Sequence, residues 1–131
     1  MFHTKLLPDR PDLTAPDGSD VRILLKLGGG SMAHFELAEG RASHAVAHHS
    51  VDEMWYFLDG LGVMWRKLDR QEETVRVEAG VCLTIPCGTR FQFRSLGPGP
   101  LKAVAITMPP WPGEGEGKGE AYAVDGLWPP K

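Results

Sequence analysis

Several large classes of protein are excluded by what this chain lacks. No stretch approaches the ~18 consecutive apolar residues of a membrane-spanning helix. The N-terminal segment MFHTKLLPDRPD holds no apolar run of signal-peptide length. Both absences lead to the expectation of a soluble, cytoplasmic protein. Lysine and arginine are not clustered: 14 basic residues are interspersed with 17 acids, for a formal net charge of −3. Without a basic stripe there is no path for a phosphate backbone, which argues against nucleic acid as a partner. No long segment carries the 3.6-residue period of an amphipathic helix, and no internal repeat is found. Cysteine is limited to Cys82 and Cys87. Extended along one strand they lie roughly 16 Å apart at about 3.3 Å per residue, beyond the about 7 Å that a disulfide allows. Their spacing does not match a zinc ribbon. Both are read as small buried hydrophobes.

What is present is a series of short β-type runs. The 131 residues, 42% of them hydrophobic, suit one domain with one core. The runs are VRILLKL (21–27), SMAHFELAEG (31–40), SHAVAH (43–48), EMWYFLDG (53–60), GVMWRKL (62–68), ETVRVEAG (73–80), VCLTIPCG (81–88), RFQFRSLG (90–97) and LKAVAITM (101–108), punctuated by Gly, Pro and Asp. Short strands with turn signals at this spacing predict an all-β sandwich or barrel over residues 21–108. Alternation puts Val75 and Val77 on one face and Phe91 and Phe93 on another, with Arg90 and Arg94 opposite the phenylalanines as rim or surface groups. Ile23, Leu24 and Leu25 are consecutive, as expected of a strand covered on both sides. Residues 1–20 read as an extended arm. Residues 109–131 form a Pro/Gly-rich tail with a Gly/Glu-rich middle, and Trp111 and Trp128 predict that part of it packs on the barrel, because large aromatics are useful when packed.

The chemistry is concentrated in GRASHAVAHHSVDEMWYFLDG, residues 40–60. If 43–48 is a strand, His44, Val46 and His48 share one face. Glu53 opens the next strand, and its face continues through Trp55 and Phe57. A hairpin turn over 49–52 would bring His48 and Glu53 together across two strands. A converging imidazole and carboxylate can hold a divalent metal, form a buried hydrogen bond, or act as a base with its orienting acid. Asp52 and His49 are read as turn residues and His3 as solvated. His34 faces either the pocket or solvent.

These spacings resemble the cupins. Their first motif is G(X)5HXH(X)3–4E(X)6G, matched from Gly40 through Val46, His48 and Glu53 to Gly60, with Val46 in place of the first histidine. Their second is G(X)5PXG(X)2H(X)3N, matched from Gly80 through Pro86 and Gly88, with Phe91 in place of the histidine and Ser95 in place of the asparagine. The resemblance covers roughly residues 20–108 and implies a double-stranded β-helix of the jelly-roll type. It implies a metal site of three histidines and one glutamate, of which only His48 and Glu53 hold their positions here. His44 is the substitute third ligand, giving a two-His, one-carboxylate set, and His49 could enter only if the strand register shifts. The cofactor is therefore open: one divalent Fe, Mn, Ni or Zn ion with an incomplete ligand set, or none.

The implied function is binding of a small organic molecule inside the barrel. The expected pocket is lined by His44, Val46, Trp55, Phe57, Met64, Phe91 and Phe93, side chains that barrel interiors also need as apolar fill. Two readings follow. One is an enzyme in which His48 and Glu53 are catalytic. With a metal, the resemblance implies isomerase, dioxygenase, decarboxylase or lyase chemistry; without one, His48 is a general base held by Glu53. The other is a non-catalytic binding or sensing module with a degenerate metal site. The resemblance also implies a homodimer.

Overall fold

The computed structural model describes residues 1–112 and 119–131. The Gly/Glu-rich middle of the tail falls mostly outside them. Eleven strands are found and, among the described residues, no helix. Hence no described helix is long and apolar enough to cross a membrane. The strands are β1 (Leu13–Thr14), β2 (Asp20–Leu27), β3 (Gly30–Leu37), β4 (Val46–His48), β5 (Asp52–Asp59), β6 (Leu61–Leu68), β7 (Gln71–Glu78), β8 (Cys82–Ile85), β9 (Arg90–Ser95), β10 (Leu101–Met108) and β11 (Ala121–Ala123). They build two antiparallel sheets, in the orders β1-β2-β3-β10-β5-β8 and β11-β4-β9-β6-β7.

Strict alternation produces the sandwich. In β5, Glu53, Trp55 and Phe57 are buried while Asp52, Met54, Tyr56 and Leu58 are exposed, the period-2 pattern of a half-buried strand. The inward side chains of the two sheets interdigitate. Trp55 stacks on Phe35 with ring centroids 4.9 Å apart and meets Phe93 edge-on at 5.2 Å. Gly60 makes the tight β5–β6 turn with φ +87°, and a Cβ there would fall 2.4 Å from the carbonyl oxygen of Pro100. Only glycine meets both demands.

Two expectations are corrected by this architecture. Cys82 and Cys87 are free and exposed rather than buried. In edge strand β8 the inward positions belong to Leu83 and Ile85, so Cys82 points out. Second, β4 and β5 are not hairpin partners. β4 pairs with β9 and β11 in one sheet, and β5 pairs with β10 and β8 in the other. The link between them carries the chain from one sheet to the other, with His49 and Ser50 exposed and Val51 fully buried. Within one chain Ile23, Leu25 and Leu27 of β2 are exposed.

The tail supplies β11, which adds to β4, and ends with Lys131 exchanging backbone hydrogen bonds with Ala42. Its anchor is Gln92, fully buried on the face away from Phe91 and Phe93. The Gln92 amide donates to the carbonyls of Ser43 and Trp128 and accepts from the backbone N–H groups of Leu127 and Trp128. Arg94 lies over the Trp128 ring at 5.3 Å, a cation–π contact.

Candidate functional site

His48 ends β4 and Glu53 lies near the start of β5, so the two meet across the gap between sheets. His48 Nδ1 is 3.9 Å from Glu53 Oε1, and both side chains are buried. That separation is too long for a hydrogen bond, and Nδ1 has no other partner. Glu53 is held by neutral donors instead. Trp55 Nε1 donates to Oε1 at 3.0 Å, and Thr107 Oγ1 donates to Oε2 at 2.6 Å. The His48 ring lies between two aromatics that meet it edge-on, Phe91 at 5.3 Å and Trp111 at 5.2 Å. Trp111 is tied to the other sheet by its backbone N–H, which donates to Ser31 Oγ.

The substituted motif positions are neighbours: Val46 and Phe91 are direct cross-strand partners between β4 and β9. Two apolar side chains thus stand side by side where the resemblance implies two imidazoles. Both belong to the packed core, together with Trp55, Phe57, Met64 and Phe93. Of the cavities found among the described residues, one is lined by Arg66, Thr84 and Thr89 and another by Arg90 and Tyr122. Neither is lined by the predicted pocket residues, which fill the barrel.

His44 does not join the site. It is exposed and precedes β4, which begins at Val46. The cause is the loop 15–19, whose Asp17 carbonyl accepts the His44 backbone N–H at 2.7 Å. The imidazole consequently lies over Gly18 rather than beside His48. His49 is exposed too, stacked on Tyr122 at 4.2 Å. The Asp52 carboxylate accepts the backbone N–H of Cys87 and shapes the turn before β9.

Residues the motifs do not name complete the surroundings. Asp17 is buried and accepts from the backbone N–H and hydroxyl of Ser19. Burial pushes its carboxyl above the ordinary range against those bonds, and the charge of Glu53 adds to the rise. Thr107 and Trp111 lie beyond both motifs. In β10 Leu101, Ala103, Ala105 and Thr107 alternate inward, but nothing local in the sequence marks the Thr107 hydroxyl as the donor to Glu53. His34 is buried on the outer face of the six-stranded sheet, where desolvation, with Arg22 nearby, lowers its pKa.

The donor set does not fit a resident metal. Among the described residues no three His, Cys, Asp or Glu side chains converge. His48 and Glu53 approach each other, but each Glu53 oxygen already accepts a hydrogen bond. Catalytic zinc and non-haem iron sites take three protein ligands.

A sandwich of two antiparallel sheets with an aromatic interior and one buried imidazole–carboxylate pair is the class that fold and site define. The chain belongs to the cupin family: the cupin-domain model matches residues 33–107, more than half of it. No curated protein matches the sequence. Solved structures share the fold. One is a protein of Bacillus halodurans, 23% identical, covering 69% of this chain and 70% of that one, with a TM-score of 0.63. A conserved protein of Klebsiella pneumoniae with a double-stranded beta-helix domain is 11% identical over 95% of this chain and 100% of that one, with a TM-score of 0.69. The oxalate decarboxylase of Lactobacillus farciminis, in its formate complex, is 20% identical over 68% of this chain and 28% of that one, with a TM-score of 0.62.

Proposed function

We propose that this cupin binds a small organic molecule at the barrel end formed by His48, Glu53, Phe91 and Trp111, without a metal. The observation that carries this reading is His48 Nδ1, buried and without a partner, 3.9 Å from a carboxylate that other donors already hold. An unpaired buried polar atom costs about 1–3 kcal/mol. A ligand group that pairs with it recovers that cost, which favours binding there over other parts of an apolar interior. Trp111 and Phe91 supply the flat apolar walls, so the ligand carries one hydrogen-bonding group on a compact apolar or aromatic body. Because Trp111 lies against His48, its indole shifts to admit the ligand.

The second reading is catalysis, with His48 as general base. Glu53 is close enough to stabilise an imidazolium once the site tightens around a substrate, since catalytic hydrogen bonds are often long in the empty enzyme. A thermal-shift screen of small metabolites against the wild type and His48→Gln separates these readings. Binding requires a compound that raises the wild-type melting temperature through mass action and leaves the variant unmoved. Turnover of that compound, lost in His48→Gln, identifies an enzyme. If no hit depends on His48, the site assignment is wrong.

We also infer a homodimer. Met32, Ile106 and Met54 are cross-strand neighbours on the outer face of the six-stranded sheet, and Tyr56 and Leu58 extend the same apolar surface. Phe2 and Leu6 of the arm are fully or almost fully exposed, burying nothing in their own chain. A second copy supplies the complement of both features through one two-fold axis. Light scattering should give twice the mass of the chain, and Tyr56→Glu should give the monomer. A wild-type monomer at micromolar concentration would refute the dimer.

A further inference from the structure

On the outer face of the six-stranded sheet, Arg22 of β2 is the cross-strand partner of His34 of β3. Alternation aims both side chains away from the core, yet Arg22 is 9% and His34 3% exposed. The Arg22 guanidinium is turned onto the N-terminal arm. Its Nε donates to the Pro8 carbonyl at 2.8 Å and its Nη2 to the Asp9 carbonyl at 3.0 Å. Two further bonds hold the arm to the edge of β2 at Ile23. The Lys5 ammonium donates to the Ile23 carbonyl at 2.6 Å, and the Asp12 carboxylate accepts the Ile23 N–H at 2.7 Å. Arg22 thus supplies two of the four bonds that tie residues 5–12 to the barrel.

Little offsets the charge of that guanidinium. Its Nη1 is buried without a hydrogen bond, 3.7 Å from Glu36 Oε1, and the same oxygen lies 3.9 Å from Lys102 Nζ. Glu36 is therefore one carboxylate between two cations. Asp20 of β2 and Asp59 of β5 extend that row as the cross-strand partners of Glu36 and Lys102. In the row of His34, β10 and β5 contribute Val104 and Tyr56. His34 Nδ1 is buried and has no partner. Burial, then the Arg22 charge and more weakly that of Lys102, hold the imidazole below its ordinary 6.5, with Glu36 acting against them.

We propose that Arg22 and His34 form an acid-released latch for the N-terminal arm. Protonation of His34 sets a second cation beside the Arg22 guanidinium, which gives up the Pro8 and Asp9 carbonyls, and residues 5–12 lift from the sheet. In the latched state an imidazolium is buried beside a like charge, and its Nδ1–H finds no acceptor. Both costs vanish when the arm lifts and water reaches the two side chains. The released state therefore binds the proton more tightly. As pH falls from 6.5 toward the lowered value, the ratio of latched to released arm drops by up to about tenfold per pH unit. Release bares the backbone of β2 at Ile23 and frees the exposed apolar side chains Phe2 and Leu6. The surface offered to a partner then changes with pH. All the contacts of the latch lie within one chain, so it does not rest on the dimer.

The test uses the full chain labelled with nitrogen-15 and carbon-13, titrated by NMR from about pH 7.5 to about 4.5 across the ordinary histidine range. The His34 imidazole carbons report protonation, and the backbone amides of Leu7 and Asp9 report the arm. Their order parameters should fall from about 0.85, a rigid backbone, to below about 0.6 along the same curve as the His34 titration, while the amides of β5 stay rigid. In His34→Gln the arm should stay ordered throughout, and in Arg22→Met it should be mobile at every pH. Protonation of His34 in the wild type without loosening of the arm overturns the proposal, whether or not the variants fold. An imidazole that stays neutral down to about pH 4.5 overturns it as well. So does an arm that loosens only together with β5, or one released in His34→Gln at the same pH as in the wild type.

Discussion

The imidazole of His48 and the carboxylate of Glu53 approach to 3.9 Å across the space between two sheets, although only four residues separate them in the chain. The short link does not form a hairpin. It passes the chain from one sheet to the other, so the pair spans the barrel instead of lying on one wall. Glu53 is held by Trp55 and Thr107 from its own sheet, while His48 stands opposite with Nδ1 unpaired.

Thr107→Val keeps the shape of the side chain and removes one donor to Glu53. It is expected to destabilise the fold by about 1–3 kcal/mol, because a buried carboxylate oxygen loses its hydrogen bond. Urea denaturation measures this. A change within about 0.5 kcal/mol, the size of an ordinary surface substitution, would show that Glu53 does not depend on that hydroxyl.

Asp17 and His34 should make stability depend on pH with opposite signs. Burial raises the Asp17 carboxyl above its ordinary 3.8. Between 3.8 and the raised value the folded chain binds more protons than the unfolded one, so this group's contribution falls as pH rises through that window. The stability gained by Asp17→Asn should therefore grow with pH above 3.8 and level off above the folded value. Desolvation lowers His34 below its ordinary 6.5. There the unfolded chain binds more protons, so stability is lost as pH falls from 6.5 toward the folded value, and His34→Gln should flatten that loss. Melting curves against pH for the two variants decide; a flat Asp17→Asn difference would mean the carboxyl is not destabilised by burial.

Gln92→Leu removes four hydrogen bonds that pin the tail to the barrel. The expected cost is about 2–4 kcal/mol, since four backbone groups lose partners and some regain water. Limited proteolysis should then cut after Val124 before the barrel opens. Uniform resistance would show that β11 and the terminal backbone pairing hold the tail alone.

Two donors predict weak metal retention. Protein purified without chelator should carry well under one equivalent of iron, manganese, nickel or zinc by elemental mass spectrometry, and its melting temperature should not change on dialysis against a chelator. One equivalent of metal, lost in His48→Ala, would contradict this.

Much of the fold could be read from the residues. The glycine spacings from Gly40 to Gly60 and from Gly80 to Gly88, with alternating apolar positions, located the strands and the cupin family. They put Glu53, Trp55 and Phe57 on one buried face, because side-chain direction in a strand follows from position alone. The same rule misplaced His44. Alternation assumes that the strand exists, and at residue 44 the backbone is held by Asp17 from a distant loop instead. Cys82 obeys alternation but lies on the outward face of an edge strand, which composition does not reveal.

The sequence by itself determined the nine strands between residues 20 and 108, the family, and the replacement of two motif histidines by Val46 and Phe91, because these depend on residue type and local spacing; it did not show β1 in the arm or β11 in the tail. Only the tertiary structure decided that Val46 and Phe91 are partners, that Trp111 returns to cover His48, and that Arg66 and Thr89 share a cavity. Those contacts join residues far apart in the chain. They are set by which edges the strands pair and where the sheets close, and no local period encodes either.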